Sequence, residues 1–313
     1  MRILLLLLFV PILAVAAALG QMCDRTLTVA GNPEAPPGLD IGDFEATVSH
    51  KRLIITKVEP IHYSRVLILI RAIDQLSHKE SKQLIRRLTA LTAIPPNVKL
   101  AYGVYAEKII FSERFTSDPD ELRTSLGELV QKANSGILGK RDAGYYVLGQ
   151  ALDFFQKPLP GDSIVELVTG VIDSYDDYSE IAKKSNINPI TITTFLEKGI
   201  RLFGWENVSI SAVDSGWSAV FAYEELAEAT GGAVFSIQSD NTWLNYLIFG
   251  MNQAYLVTVS VPSNVRAEAR SWRLRLSNSK RRRLHEAKSD FDLLYPDLLL
   301  CNSIGPDAGS VRR

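Results

Sequence analysis

Val66-Leu67-Ile68-Leu69-Ile70-Arg71-Ala72-Ile73-Asp74-Gln75 decides the fold of this chain. Its five consecutive aliphatic residues, β-branched at three positions, describe a strand buried on both faces of a parallel sheet. The run stops in polar residues. Ser77-His78-Lys79-Glu80 follows with the spacing of a capping box, in which the Ser hydroxyl and the Glu carboxylate satisfy free backbone donors at a helix start. Leu84, Ile85, Leu88 and Leu91 then recur at helical spacing, so the unit is buried strand, polar loop and amphipathic helix. Ligands of open α/β sheets bind at the carboxyl ends of such strands. The loop after Ile70 therefore carries most of the functional question.

Working outward, Phe44 to Val48 and Leu53 to Val58 are short β-prone runs around Ser49-His50-Lys51-Arg52, a hairpin over 41–61. Val98 to Tyr105 and Lys108 to Phe111 form a second hairpin, which gives one antiparallel edge to an otherwise parallel sheet. Asp118-Pro119-Asp120-Glu121 opens a helix with Pro early and acids in the first turn, and Leu122, Leu126, Leu129 and Val130 form its buried stripe. A Gly-rich loop over 135–144 leads to a helix from Tyr145 to Phe155, then to a strand from Ile164 that stops at Gly170. After an acidic loop over 173–180, the pattern predicts a helix from Ile190 to Phe203 and a strand from Val208 to Val213. A helix from Ala219 to Thr230 closes on Gly231-Gly232, before a strand from Ala233 to Ser236 and a helix from Trp243 to Met251. This alternation predicts an α/β domain over 62–252, a doubly wound, mostly parallel sheet of Rossmann-like type. Beyond it, Tyr255 to Val261, Trp272 to Leu276 and Asp290 to Leu294 alternate like strands, with no helical signal between them. They predict a small β appendage over 253–300, joined to the amino-terminal hairpin and followed by a flexible tail over 301–313.

The 313 residues suffice for one large domain and an appendage, and a formal net charge of -1 gives no global basic field. Nucleic acid is therefore not an expected partner. The local run Lys280 to Arg283, with Trp272, Arg273 and Arg275 nearby, invites a polyanion or membrane reading, but between two strands a solvated hairpin turn is the commoner outcome. Met1-Arg2, the apolar run from Ile3 and the small residues Ala18 and Gly20 read as a signal peptide over 1–20. The length of that run leaves an uncleaved anchor open, and membrane contact is expected only in that case. Residues 21–40, with Pro33, Pro36, Pro37 and Gly38, read as a linker outside the core. Cys23 and Cys301 are the only cysteines, and an oxidising compartment would permit their pairing without the sequence showing that they meet.

From Gly38 to about Pro296 the chain resembles the exported bacterial proteins related to von Willebrand factor A domains. The resemblance rests on Asp43-Phe44-Glu45, the strand, loop and helix over 66–93, and Thr169-Gly170-Val171-Ile172-Asp173 with Ser179. It rests further on Leu226 to Gly232 before a short strand and on Asn252-Gln253-Ala254-Tyr255-Leu256-Val257. What the resemblance implies is a metal-ion-dependent adhesion site: an Asp-x-Ser-x-Ser loop after the first strand, a Thr ahead of a later helix and an Asp after the fourth strand. A hard divalent cation wants such oxygen ligands. Here the five positions fall on Arg71, Ile73, Gln75, approximately Tyr146, and Gly170. None offers the expected ligand, and a guanidinium in the first position repels a cation. The expectation is a kept fold with a degenerate adhesion site, no metal and no cofactor.

Arg71 then reads as a fixed positive charge in place of the metal, paired with Asp173 or Asp177 in the free protein and with an acidic group of a partner when bound. Its structural alternative is an internal salt bridge that shapes the loop. Asp173, Asp176, Asp177 and Glu180 do not match the spacing of an EF-hand, so a solvated acidic loop is the plainer reading. Tyr145, Tyr146, Tyr175 and Tyr178 could form a contact patch or pack internally. His50, His62, His78 and His285 lie in no metal-binding spacing, and no Gly-x-Ser-x-Gly elbow, phosphate loop or Cys-x-x-Cys is present. The expected function is a non-catalytic protein-interaction or scaffolding module, exported to the periplasm or outside the cell, whose protein partner the sequence does not name. The competing class is an envelope enzyme that uses the carboxyl-terminal crevice with unassigned residues.

Overall fold

The apolar run forms strand β4 (Ser64–Arg71), which pairs in parallel with β5 (Val98–Tyr105) on one side and β7 (Ser163–Gly170) on the other. The computed structural model describes residues 22–32, 37–72, 79–91, 94–139, 146–170, 189–208, 226–236, 254–262, 266–267, 271–286 and 292–300. Around β4 the strand order is β6-β5-β4-β7-β8-β9. Here β6 (Ile109–Phe111) runs antiparallel to β5, while β8 (Arg201–Val208) and β9 (Val234–Ser236) continue the parallel set.

Alternation along β4 divides the core. Val66, Ile68 and Ile70 pack with Leu84 and Leu88 of α1 (Lys79–Thr89) and with Leu122, Leu126 and Leu129 of α2 (Pro119–Asn134). Leu67 and Leu69 pack with Val147, Leu148 and Ala151 of α3 (Tyr146–Phe154) and with Phe195 of α4 (Pro189–Lys198). Successive strand residues point to opposite faces, so an uninterrupted aliphatic run is what two covered faces require. Each of these Val, Leu, Ile and Phe side chains contributes about 1.5–3 kcal/mol of burial free energy. Helix α2 starts where Asp118 accepts from the amides of Asp120 (2.8 Å) and Glu121 (3.3 Å), with Pro119 in the first turn.

The helix predicted from Ile190 to Phe203 ends earlier. Gly199 adopts a left-handed conformation (φ +64°) after Lys198, and Arg201, Leu202 and Phe203 become the start of β8, opposite Ser163, Ile164 and Val165. Strand β8 thus begins within the predicted helix and includes Val208, while the rest of the strand predicted over Val208 to Val213 falls in residues 209–225, outside the described set. Helical spacing continued through the boundary because a buried strand and a buried helix face are equally apolar.

The second sheet is larger than a small appendage. Its order is β12-β2-β3-β10-β1-β13, antiparallel throughout, built from β1 (Met22–Asn32), β2 (Phe44–Val48), β3 (Lys51–Pro60), β10 (Tyr255–Pro262), β12 (Trp272–Leu276) and β13 (Asp292–Leu294). The expected linker over 21–40 is corrected by β1, which pairs with β10 from Met22↔Pro262 to Val29↔Tyr255. Cys23, Leu27 and Val29 reach the core of this sheet, so its polar composition hid an alternating strand. Trp272 is fully buried there, and its Nε1 donates to the Pro296 carbonyl at 2.9 Å. A short pair, β11 (Arg266–Ala267) with β14 (Leu299–Leu300), completes the strands.

The basic run is also corrected. Lys280 to Arg283 lie on helix α5 (Asn278–Glu286) and not in a hairpin turn. Lys280 Nζ (3.2 Å) and Arg283 (3.3 Å), one helical turn apart, reach the carboxylate of Asp43, which is buried in a 3-10 turn at Ile41–Asp43. A buried carboxylate demands cations, and helical spacing supplies two from one side.

Candidate functional site at the carboxyl ends of the parallel strands

Arg71 closes β4 opposite Tyr105, the last residue of β5. The Ala72 amide donates to the Tyr105 carbonyl at 2.7 Å, which carries the pairing one residue further. By strand parity Arg71 shares the face of Leu67 and Leu69, and Tyr105 packs in that same cluster. On β7, Val165 and Leu167 belong to the opposite layer, which leaves Glu166 between them on the face of Arg71 and Tyr105. The Tyr105 hydroxyl donates to Glu166 Oε1. Arg71, Tyr105 and Glu166 are 6%, 2% and 8% exposed, so a cation, a phenol and a carboxylate converge where water screens them little.

Arg71 is the one sequence-stated candidate whose side chain is described in this cluster. Tyr146 is the first residue of α3 and Gly170 the last of β7, opposite Val208. Ile73, Gln75, Asp173 and Asp177 lie outside the described residues, as do Tyr145, Tyr175 and Tyr178. The pairing of Arg71 with Asp173 or Asp177 falls there too. Tyr105 and Glu166 were not singled out from the sequence. A signal for Glu166 was present: a lone acid inside Ile164-Val165-Glu166-Leu167-Val168, where a buried strand tolerates a charge only with a partner.

The opposite, amino-terminal end of β4 is tied down structurally. Arg65 donates from Nε (2.9 Å) and from its terminal nitrogen (2.5 Å) to the two oxygens of Asp162, which is wholly buried ahead of β7. Burial pushes the Asp162 carboxyl up from its ordinary range while the bonds from Arg65 pull it down, and the same bonds push the Arg65 guanidinium up. Thr230 fixes the start of β8: its hydroxyl accepts from the Leu202 amide (3.0 Å) and donates to the Ala227 carbonyl (2.8 Å). At the chain's start, Cys23 is disulfide-bonded, and Cys301 lies outside the described residues.

These features define an α/β protein with a parallel sheet edged by one antiparallel strand, a separate antiparallel sheet and a buried polar cluster at the carboxyl ends of its central strands. No protein-family model matches the chain, and no curated protein matches it. Among solved structures it is similar to BatB from Bacteroides thetaiotaomicron, at 15% identity over 61% of this chain and 98% of that one, TM-score 0.42. It is similar to a von Willebrand factor type A protein from Catenulispora acidiphila at 14% identity, TM-score 0.40, over 75% of this chain and 49% of that one. A third is the ArnB paralog VWA2 from Sulfolobus acidocaldarius, at 11% identity and TM-score 0.36, covering 78% and 66% of the two chains. The chain thus spans about half the length of the Catenulispora protein.

Proposed function

We propose that this chain is an exported, non-catalytic protein-interaction module of von Willebrand factor A type, doubly wound around β4, in which a fixed charge stands where relatives hold a divalent ion. The observation that carries the reading is the buried guanidinium of Arg71 at the end of the central strand, on the same face as Glu166 and Tyr105. A divalent ion needs several oxygen ligands and a locally negative site. A buried cation opposes it, and the Glu166 carboxylate on the same face is already engaged by a phenol. In this reading Arg71 sets the field beneath the crevice, and the segments that leave β4, β7 and β8 supply the contacts to an acidic partner surface. The disulfide at Cys23 supports export, because such bonds persist in oxidising compartments. No helix of the described residues is long and apolar enough to cross a membrane.

The test has two arms. Millimolar Mg²⁺, Mn²⁺ or Ca²⁺ leaves the thermal midpoint unchanged, since a ligand that binds only the folded state must raise it. Affinity capture from the native envelope recovers fewer partners with Arg71→Gln than with the wild type. A metal-dependent rise in the midpoint, or equal recovery by a folded Arg71→Gln protein, overturns the reading.

A further inference from the structure

A groove of about 490 Å³ lies at the amino-terminal end of the parallel sheet, away from the Arg71 cluster. One wall is Asp24 to Thr28 of β1, and the other is the end of α4 with the start of β8 and the loop before β7. Five consecutive residues of one strand line it. A strand face offers alternate residues, whereas a strand edge offers every one. Here β1 has its ladder with β10 on one side, and β13 pairs with it only at Ala30–Asn32. Outside the ladder with β10, no backbone group of Asp24–Thr28 hydrogen-bonds to another described residue. Alternate amides and carbonyls of an antiparallel strand point away from its partner, so this edge presents a row of open donors and acceptors over roughly 13 Å.

The groove also has a charge preference. Arg25 lines it, and its Nε is buried with no hydrogen-bond partner among the described residues. Arg201, 1% exposed with its guanidinium 5.3 Å from the Phe203 ring centre, also lines the wall, and the charge preference rests on Arg25. The acids Asp24 and Glu197 also line the groove but are exposed, so water screens them more than the arginines. Leu27, Leu196 and Leu256 supply apolar surface for a side chain of the occupant.

We propose that the open edge of β1 over Asp24–Thr28 receives an extended peptide strand bearing an acidic side chain that bonds to Arg25. Backbone hydrogen bonds give the affinity, as in other cases of strand addition, and the arginine selects the acid. This site is separate from the Arg71 cluster and stands or falls without it.

The experiment pans a random short-peptide phage library against the full, disulfide-intact chain. Enriched peptides alternate β-prone residues and carry an acid, and hydrogen exchange shows added protection at the outward-pointing amides of Asp24–Thr28. N-methylation of one alternating set of amides in the best peptide weakens binding about tenfold or more, about 1.4 kcal/mol, while the complementary set leaves it intact. That readout is independent of protein folding. Arg25→Gln weakens binding by about tenfold as well. The proposal is overturned if nothing is enriched above the bare support, if protection falls elsewhere or if the two methylated sets bind alike. Unchanged affinity in Arg25→Gln, or equal protection by hexanoate alone, which would mark a small-anion pocket, overturns it too.

Discussion

The Tyr105 hydroxyl donates to the Glu166 carboxylate across β4, joining strands β5 and β7, which are not neighbours in the sheet. The bond spans the central strand on the face that carries Arg71, so it ties the flanking strands together at the carboxyl end of β4. Both partners are buried, which makes an unmade bond costly.

Replacing Tyr105 by Phe removes the donor and takes one hydrogen bond from the buried Glu166 carboxylate. The expected loss is about 1–3 kcal/mol of unfolding free energy, measured by urea denaturation. An unchanged midpoint and slope would show that the bond contributes nothing.

Arg65 and Asp162 form a two-bond ion pair at the other end of β4. Arg65→Met takes the cation from a fully buried carboxylate, which keeps the Leu159 amide (2.7 Å), and should cost about 3 kcal/mol or more. Adding Asp162→Asn recovers part of that loss, because the two changes touch one network and do not add. Simple additivity in the double variant would rule out the coupling.

Asp297 gives a pH signature. Burial, with the nearby charge of Glu228 adding to it, pushes its carboxyl up to about 6. A carboxyl raised on folding binds its proton more tightly in the native state, so its contribution is present at acid pH and is lost as pH rises through about 6. Asp297→Asn keeps a neutral group at all pH values. Its thermal midpoint relative to wild type should therefore rise from about pH 4 to about pH 8, and a pH-independent difference would contradict the burial argument.

Two glycines test packing in opposite directions. A Cβ on Gly232 would overlap the Leu202 carbonyl, where β8 begins, so Gly232→Ala should cost more than about 3 kcal/mol or prevent folding. Gly127 sits within α2 with nothing near its would-be Cβ. Gly127→Ala should add up to about 1 kcal/mol through helix propensity, read as a higher midpoint in the same denaturation series.

Much of the sheet around β4 was legible because burial on both faces leaves a mark that no surface segment imitates: an unbroken aliphatic run between polar stops. The start of α2 was equally plain, since Asp118-Pro119-Asp120-Glu121 states its own cap. Boundaries were harder. The change from α4 to β8 turns on one left-handed residue, Gly199, inside a stretch that is apolar throughout. Strand β1 was hidden by its polar face, and α5 was hidden because Lys280 and Arg283 acquire their purpose only when Asp43, over two hundred positions away in sequence, is buried beneath them.

The sequence by itself determined the buried strands of the parallel sheet and the arginine that ends the central one, because hydrophobic period and residue identity are local properties. Only the tertiary structure decided that Glu166 and Tyr105 meet across β4, that residues 22–32 join a six-stranded antiparallel sheet, and that no other described strand pairs with the far edge of β1 over Asp24–Thr28. Those outcomes depend on which distant segments pair, and pairing between strands is fixed by the packing of the whole core, which no single stretch of chain encodes.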